Sequence, residues 1–272
     1  MGPRFRRDDR GSVRAFFVGI AFLLITTSFA TADKLDDIRA RGRLLVGTSD
    51  TSPPFSSREN GKVVGYDVDL AAEVAKRLTL PMETISILNS QRIPALQQDR
   101  VDLVASGITR AANRRKDVNF SVAYLVSPHK VLIRMDAGIN AVGQLAGRKL
   151  ALVMGASVDA DLKAAVPTLQ IVHFPSYDAC FTALRDRQVD GFLADEVLLA
   201  SFAQKSGAAG DFTFIPDYEL PRTAGFALKK DEPRFTQFVD KVLLDLEASG
   251  QAEKIFDHWF APTKRPFRIQ PD

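Results

Sequence analysis

Apolar residues along this chain fall in short dense runs, separated by stretches in which they recur every three or four positions. The runs RLLVGTS (43–49), VDLVASG (101–107), KLALVMG (149–155), LQIVHF (169–174) and VDGFLAD (189–195) are rich in Val, Leu and Ile. Runs of this length predict strands buried in a sheet. Between them, YDVDLAAEVAKRL (66–78), SVDADLKAAV (157–166) and YDACFTALRDR (177–187) carry the spacing of amphipathic helices. Alternating strand and helix predicts an α/β class with parallel-rich sheets covered by helices. Further on, Phe235, Phe238, Val239, Val242, Leu243 and Leu246 form one apolar helical stripe that stops near Gly250.

The alternation runs twice, over roughly 43–125 and 142–216, and PRTAGFALKK (221–230) predicts one more strand before the terminal helices. Two α/β lobes follow, and no low-complexity segment or long linker interrupts them. Ligands of open α/β sheets bind outside the carboxyl ends of the strands, so two lobes can enclose a ligand between those ends.

Charge narrows the function classes. The 272-residue chain has a net charge of +3. Residues 1–32 hold Arg4, Arg6, Arg7, Arg10 and Arg14 against Asp8 and Asp9, which accounts for the whole excess. The remainder carries 31 basic and 31 acidic residues of the total 36 and 33, so it is no basic domain built for nucleic acid. The same N-terminal segment reads as a secretory signal peptide: basic to Arg14, apolar over AFFVGIAFLLITTSFA (15–30), with ATA (30–32) before a cleavage site at Asp33. An uncleaved membrane anchor is the alternative on length alone. Cys180 is the sole cysteine, which excludes an intrachain disulfide, and its helical position reads as a packing thiol.

Catalytic and metal chemistry find no motif. His129, His173 and His258 lack metal-ligand spacing, and there is no nucleophile elbow, phosphate-binding loop or dinucleotide turn. No catalytic residue, metal or cofactor is expected.

Four stretches coincide in order. GYDVDLAAEVAKRL (65–78) resembles the signature of the bacterial extracellular solute-binding proteins of family 3, the polar amino-acid type. LAGRKLALVMGAS (145–157) and VDGFLADEVLLA (189–200) resemble that family's second-lobe motifs, and SGQAEKIFDHWF (249–260) its C-terminal helix. The resemblance implies a type II, two-lobed (Venus-flytrap) periplasmic binding protein with a parallel-rich mixed sheet in each lobe and two crossovers. Lobe one is expected over 33–126 and 222–272, and lobe two over 127–221. The implied function is a periplasmic component of an ABC importer that binds a free amino acid and delivers it to an inner-membrane permease, as a monomer.

The resemblance also assigns site residues. Arg114, in GITRAANRR (107–115), takes the ligand's α-carboxylate with Thr109, and a planar guanidinium offers paired donors matched to that group. Gly107 lets the backbone approach closely. Arg115 is expected to face solvent, Arg110 stays open between surface and cleft rim, and Ala111 stands where the family often has a hydroxyl cap. Asp195 accepts the α-ammonium, its other reading being a helix N-cap. Backbone N–H groups of Gly155, Ala156 and Ser157 are expected to face an anionic group. Similarity to the glutamate/aspartate-type subgroup implies that Arg92 meets a side-chain carboxylate. Ser49, Ser52, Phe55 and Tyr177 are the remaining expected ligand contacts. Ser49 stands where that subgroup carries a second arginine, and Tyr177 where it carries a histidine. An acidic amino acid is therefore favoured, with a neutral polar one next. The rival class is an enzyme, a cyclohexadienyl (prephenate or arogenate) dehydratase on the same fold, which needs a general acid in the cleft; Asp195 or Glu196 is the candidate.

Overall fold

The computed structural model describes residues 33–261 and 263–271; the predicted signal peptide, 1–32, lies outside the described residues. The chain opens with α1 (Lys34–Arg41), β1 (Leu44–Thr48), a small antiparallel sheet of β2 (Thr51–Ser52), β3 (Ser56–Glu59) and β4 (Lys62–Val64), then α2 (Tyr66–Leu78) and β5 (Met82–Ser86). It continues through α3 (Arg92–Gln97), β6 (Leu103–Val104), β7 (Val118–Phe120), β8 (Leu125–Val126), β9 (His129–Arg134), β10 (Lys149–Val153) and α4 (Asp159–Ala165). Next come β11 (Gln170–Phe174), α5 (Tyr177–Arg185), β12 (Gly191–Asp195), α6 (Glu196–Lys205), β13 (Phe212–Phe214), β14 (Thr223–Ala224) and β15 (Ala227–Lys229). Helices α7 (Pro233–Ala248) and α8 (Gln251–Phe260) end the fold.

Two five-stranded sheets result, in the orders β5-β1-β6-β15-β7 and β11-β10-β12-β9-β13. In each, three neighbouring strands are parallel, and one strand that arrives from the other half of the chain inserts antiparallel: β15 beside β6 and β7, β9 beside β12 and β13. The chain passes from the first sheet to the second through β8 and returns through β14, and these two segments pair with each other, Val126 opposite Thr223 and Leu125 opposite Ala224. The parallel-rich, two-lobed class is thus present, with two crossings.

Two expected elements differ. The strand predicted over 221–230 is two, β14 and β15, broken at Gly225. A side chain there would meet Ser121 O and the Arg110 side chain, and Phe226 N–H donates to Ser121 Oγ at 2.9 Å. The chain therefore leaves the crossing pair and enters the first sheet within a few residues. The helix predicted from 157 begins at Asp159, and Gly155–Ser157 form a turn before it.

The apolar stripe on α7 is buried at Phe235, Val239, Val242, Leu243 and Leu246, with Phe238 half-buried. Trp259 anchors α8 to α2 by donating Nε1–H to Asp69 Oδ2 at 2.7 Å. Cys180 is buried, and burial pushes its thiol up to about 12, which leaves it a packing group. Among the described residues, no helix is long and apolar enough to cross a membrane.

The core of the first lobe holds one polar exception. Asp67, in the first turn of α2, is fully buried. Its Oδ2 accepts from Gly107 N–H at 2.5 Å and from Tyr124 Oη–H at 2.7 Å, and Tyr66 Oη–H in turn donates to Tyr124 O at 2.9 Å. Burial pushes the Asp67 carboxyl up to about 7, against the opposing pull of its two donors. A carboxyl raised in the folded state binds a proton there that the unfolded chain releases near its ordinary value. Stability from this group is therefore full below pH 4 and is lost as pH rises towards 7. The expected loss is on the order of 2–4 kcal/mol between pH 4 and 8. Urea unfolding of wild type and Asp67→Asn across that range should show the variant gaining by this amount as pH rises. A constant difference would show that folding does not raise the carboxyl above its ordinary value.

Candidate functional site

The parallel strands of both sheets end at one cleft. From the first sheet come the turn 106–109 after β6, the helical turn holding Arg114, and Arg92 at the start of α3. From the second come the turn Gly155–Ser157 after β10, Tyr177 at the start of α5, Asp195 ending β12 and His129 starting β9. This is where ligands of open α/β sheets sit. Arg92, Gly107, Thr109, Arg114, His129, Ser157, Tyr177 and Asp195, with apolar walls from Val153, Ala156, Val158, Leu193 and Ala194, enclose about 20 Å³. That is room for roughly one water molecule.

Two guanidinium groups dominate the site. Arg114 is 8% exposed, donates Nη1–H to Thr109 O at 3.0 Å, and reaches across to the second lobe, donating Nη2–H to Gly155 O at 2.5 Å. Burial first, then the positive charge of Arg92, lower Arg114 to about 9, still protonated at neutral pH. Arg92 is 3% exposed and donates Nε–H to Asn89 O at 3.0 Å and Nη1–H to Ser106 O at 3.3 Å. Its burial lowers it too, offset by Tyr177, Asp195 and Asp67 nearby. Tyr177, from the second lobe, lines the same cavity as Arg92 and Arg114 of the first.

The acidic partner is Asp195. It occupies the N-cap position of α6 but makes no side-chain cap hydrogen bond. Its Oδ2 lies 3.4 Å from His129 Nε2, and the two residues stand opposite each other in the β12–β9 register. The carboxylate is therefore held by a strand neighbour and faces the cavity.

The lobes approach most closely at Gly155, with φ +82°, where a Cβ would sit 2.8 Å from Ser90 Cα. Only glycine lets the two backbones meet there. At Gly107, with φ +62°, a Cβ would sit 2.6 Å from the Phe55 ring.

The structure gathers Arg92, Gly107, Thr109, Arg114, Ser157, Tyr177 and Asp195 around the cavity, and leaves three expected residues outside its lining. Phe55 is buried beneath Gly107 and supports the turn. Ser49 is buried, and its Oγ lies 3.4 Å from Thr51 Oγ1; Ser52 is fully buried. The donors expected at 155–157 are also altered: Ala156 N–H returns to Val153 O, and Gly155 presents its carbonyl to Arg114. Arg115 is exposed as expected. Arg110 is half-buried, its side chain lying over Gly225, and it lines a groove on the crossing-strand side of Thr109 and Ser157. His129 was read in the sequence only as a histidine without metal-ligand spacing, because only strand register brings it to Asp195.

A larger groove of about 900 Å³ runs between α2 and α7, but it is shallow and its charges are spent on one another, Arg77 with Asp245 and Lys76 with Glu73. Among the described residues, no group of three or more His, Cys, Asp or Glu is placed to hold a metal ion.

Known proteins share this architecture. A glutamate/aspartate import solute-binding protein of Escherichia coli (strain K12) is 27% identical, over 85% of this chain and 80% of its own length. A mutant ArgBP from T. maritima superposes with a TM-score of 0.78 at 28% identity, covering 84% of this chain and 99% of that one. The ancestral amino acid-binding protein AncCDT-1, a precursor of cyclohexadienyl dehydratase, does so with a TM-score of 0.76 at 29% identity, covering 84% and 100%. The profile of the bacterial extracellular solute-binding proteins, family 3, matches residues 44–262, a span that includes every residue lining the cavity, and the chain belongs to that family.

Proposed function

We propose that this protein is the periplasmic substrate-binding component of an ABC importer, which takes a free polar amino acid, glutamate or aspartate first, into the cleft and delivers it to an inner-membrane permease. The observation that carries this reading is the charge of the cleft: two buried arginines face one lining carboxylate. Arg114 and the Thr109 hydroxyl take the α-carboxylate, and Asp195 takes the α-ammonium. Those contacts leave Arg92 hydrogen-bonded to neutral backbone oxygens alone, with Asp67 near it but making no bond to it. A buried charge requires pairing, and a side-chain carboxylate supplies it. The Escherichia coli relative, named for glutamate and aspartate, agrees with that choice.

Lobe one is then 33–126 with 222–272, lobe two is 127–221, and the paired strands β8 and β14 form the hinge. A cavity of about 20 Å³ is too small for an amino acid, so the lobes must part to admit one. A ligand that bridges Arg114 and Asp195 binds the closed arrangement better and shifts the population towards it.

Thermal shift across a panel of amino acids tests this function. Ligand at a hundredfold its dissociation constant should add about 2.7 kcal/mol. The Arg114→Ala variant should lose the shift and Arg115→Ala should keep it; equal effects would overturn the carboxylate assignment. For side-chain choice, Arg92→Ala should lose glutamate binding at least tenfold and glutamine binding by far less. Unchanged glutamate affinity in that variant would remove the acidic preference.

The second reading is a dehydratase, favoured by the His129–Asp195 pair in the cavity and by the ancestry named for AncCDT-1. Turnover of prephenate or arogenate by the purified protein, with no amino acid producing a shift, would replace the transport reading with this one.

A further inference from the structure

The sequence GYDVDL holds two aspartates with different duties. Asp69 ties α2 to Trp259, away from the cleft. Asp67 lies fully buried beneath the turn 106–109, and its Oδ2 accepts the Gly107 N–H. On either side of Gly107, the turn's own carbonyls hold the cleft arginines: Ser106 O accepts from Arg92 and Thr109 O from Arg114. One buried carboxylate thus fixes the Ser106–Gly107 peptide, whose own carbonyl aims Arg92, in the turn whose Thr109 carbonyl aims Arg114.

We infer that Asp67 is the positioning residue of the ligand site, acting on Arg92 and Arg114 together through the turn 106–109. It touches neither arginine through a hydrogen bond. The rest of its surroundings serve the same end. Tyr124 donates a second hydrogen bond to Oδ2 and is itself held by Tyr66, so the carboxylate is fixed in rotation. Phe55 occupies the space beneath Gly107 that a side chain would need, so the turn has no room to drop. A guanidinium misplaced by a fraction of an ångström loses paired geometry with a carboxylate, which is where such a site gets its strength.

The inference rests on Arg114 being the carboxylate clamp, and the experiment separates the two. L-glutamate is the probe, with affinity read by calorimetry well below each variant's Tm and backbone amide exchange read over residues 106–109. In Asp67→Ala, exchange at Gly107 should rise and affinity should fall at least tenfold. Asp67→Asn keeps an oxygen acceptor and should recover affinity to within about threefold of wild type. Tyr124→Phe, which leaves the Gly107 bond, should fall between these. Asp69→Asn should lower Tm without changing affinity, as a purely structural aspartate would. Should Arg114→Ala bind glutamate like wild type, the site reading fails. With Arg114→Ala inactive, an Asp67→Ala protein that binds like wild type overturns the positioning role alone. If Asp67→Ala does not fold, Asp67→Leu, of similar size but with no acceptor for the Gly107 N–H, carries the comparison, and wild-type exchange at Gly107 in it would overturn the inference. The same exchange result decides the matter if glutamate proves not to bind.

Discussion

Two guanidinium groups held away from water between two sheets set the terms for the rest of the molecule. Burial disfavours charge, and both Arg92 and Arg114 show its pull. Yet their hydrogen-bond partners are neutral backbone oxygens: Asn89 O, Ser106 O, Thr109 O and Gly155 O. Carbonyl dipoles orient a cation without neutralising it, and the one carboxylate lining the cavity, Asp195, has His129 beside it. A cleft of this kind is arranged for an anion to arrive. Size and greasiness do not distinguish it: the groove between α2 and α7 is far larger, but its charges cancel locally.

The fold explains how such costly groups stay in place. Most lining residues lie at or just beyond the carboxyl end of a parallel strand or open a helix, and His129 starts the antiparallel β9, so sheets and helices fix the site's backbone. Several contacts between the lobes gather at the cavity. Gly155 allows backbone approach, Arg114 donates to its carbonyl, and Tyr177 lines the cavity with Arg92. A ligand carboxylate at Arg114 would replace the Gly155 carbonyl with a charged acceptor. Charge-assisted bonds of that type are about twice as strong as neutral ones, which gives a ligand its hold on the closed arrangement.

What the sequence disclosed and what it hid follow the range of the interactions involved. Helix α2 runs over the predicted 66–78 and the α7 stripe is buried as read, because 3.6-residue periodicity is a local signal. The break at Gly225 was hidden, since it arises from Ser121 and Arg110, more than a hundred residues earlier in the chain. His129 was hidden for the same reason: nothing in its own segment points to Asp195, and only the β9–β12 register does. Phe55 was read as a ligand contact and is instead a support, because sequence adjacency to the cleft does not tell above from below. Asp195 was read as a cleft residue with a helix cap as its other reading; it occupies the N-cap position of α6, makes no cap bond and lines the cavity.

Ala111 shows how one local loss is made good elsewhere. It begins the helical turn that presents Arg114 and offers no side-chain cap. The turn closes on backbone alone, Arg114 N–H to Ala111 O at 3.0 Å, and the preceding residues are bound to the crossing strand: Thr109 bridges Ala224, and Arg110 N–H donates to Thr223 O at 2.9 Å. With Asp67 below and β14 alongside, a hydroxyl cap has little left to add. The consequence reaches beyond stability. The segment that carries Thr109 and Arg114 is hydrogen-bonded to β14, and β14 pairs with β8 where the chain crosses between lobes. On the proposed hinge, rotation about those strands would bear on the carbonyl that aims Arg114, which would tie the position of the lobes to the shape of the site around it.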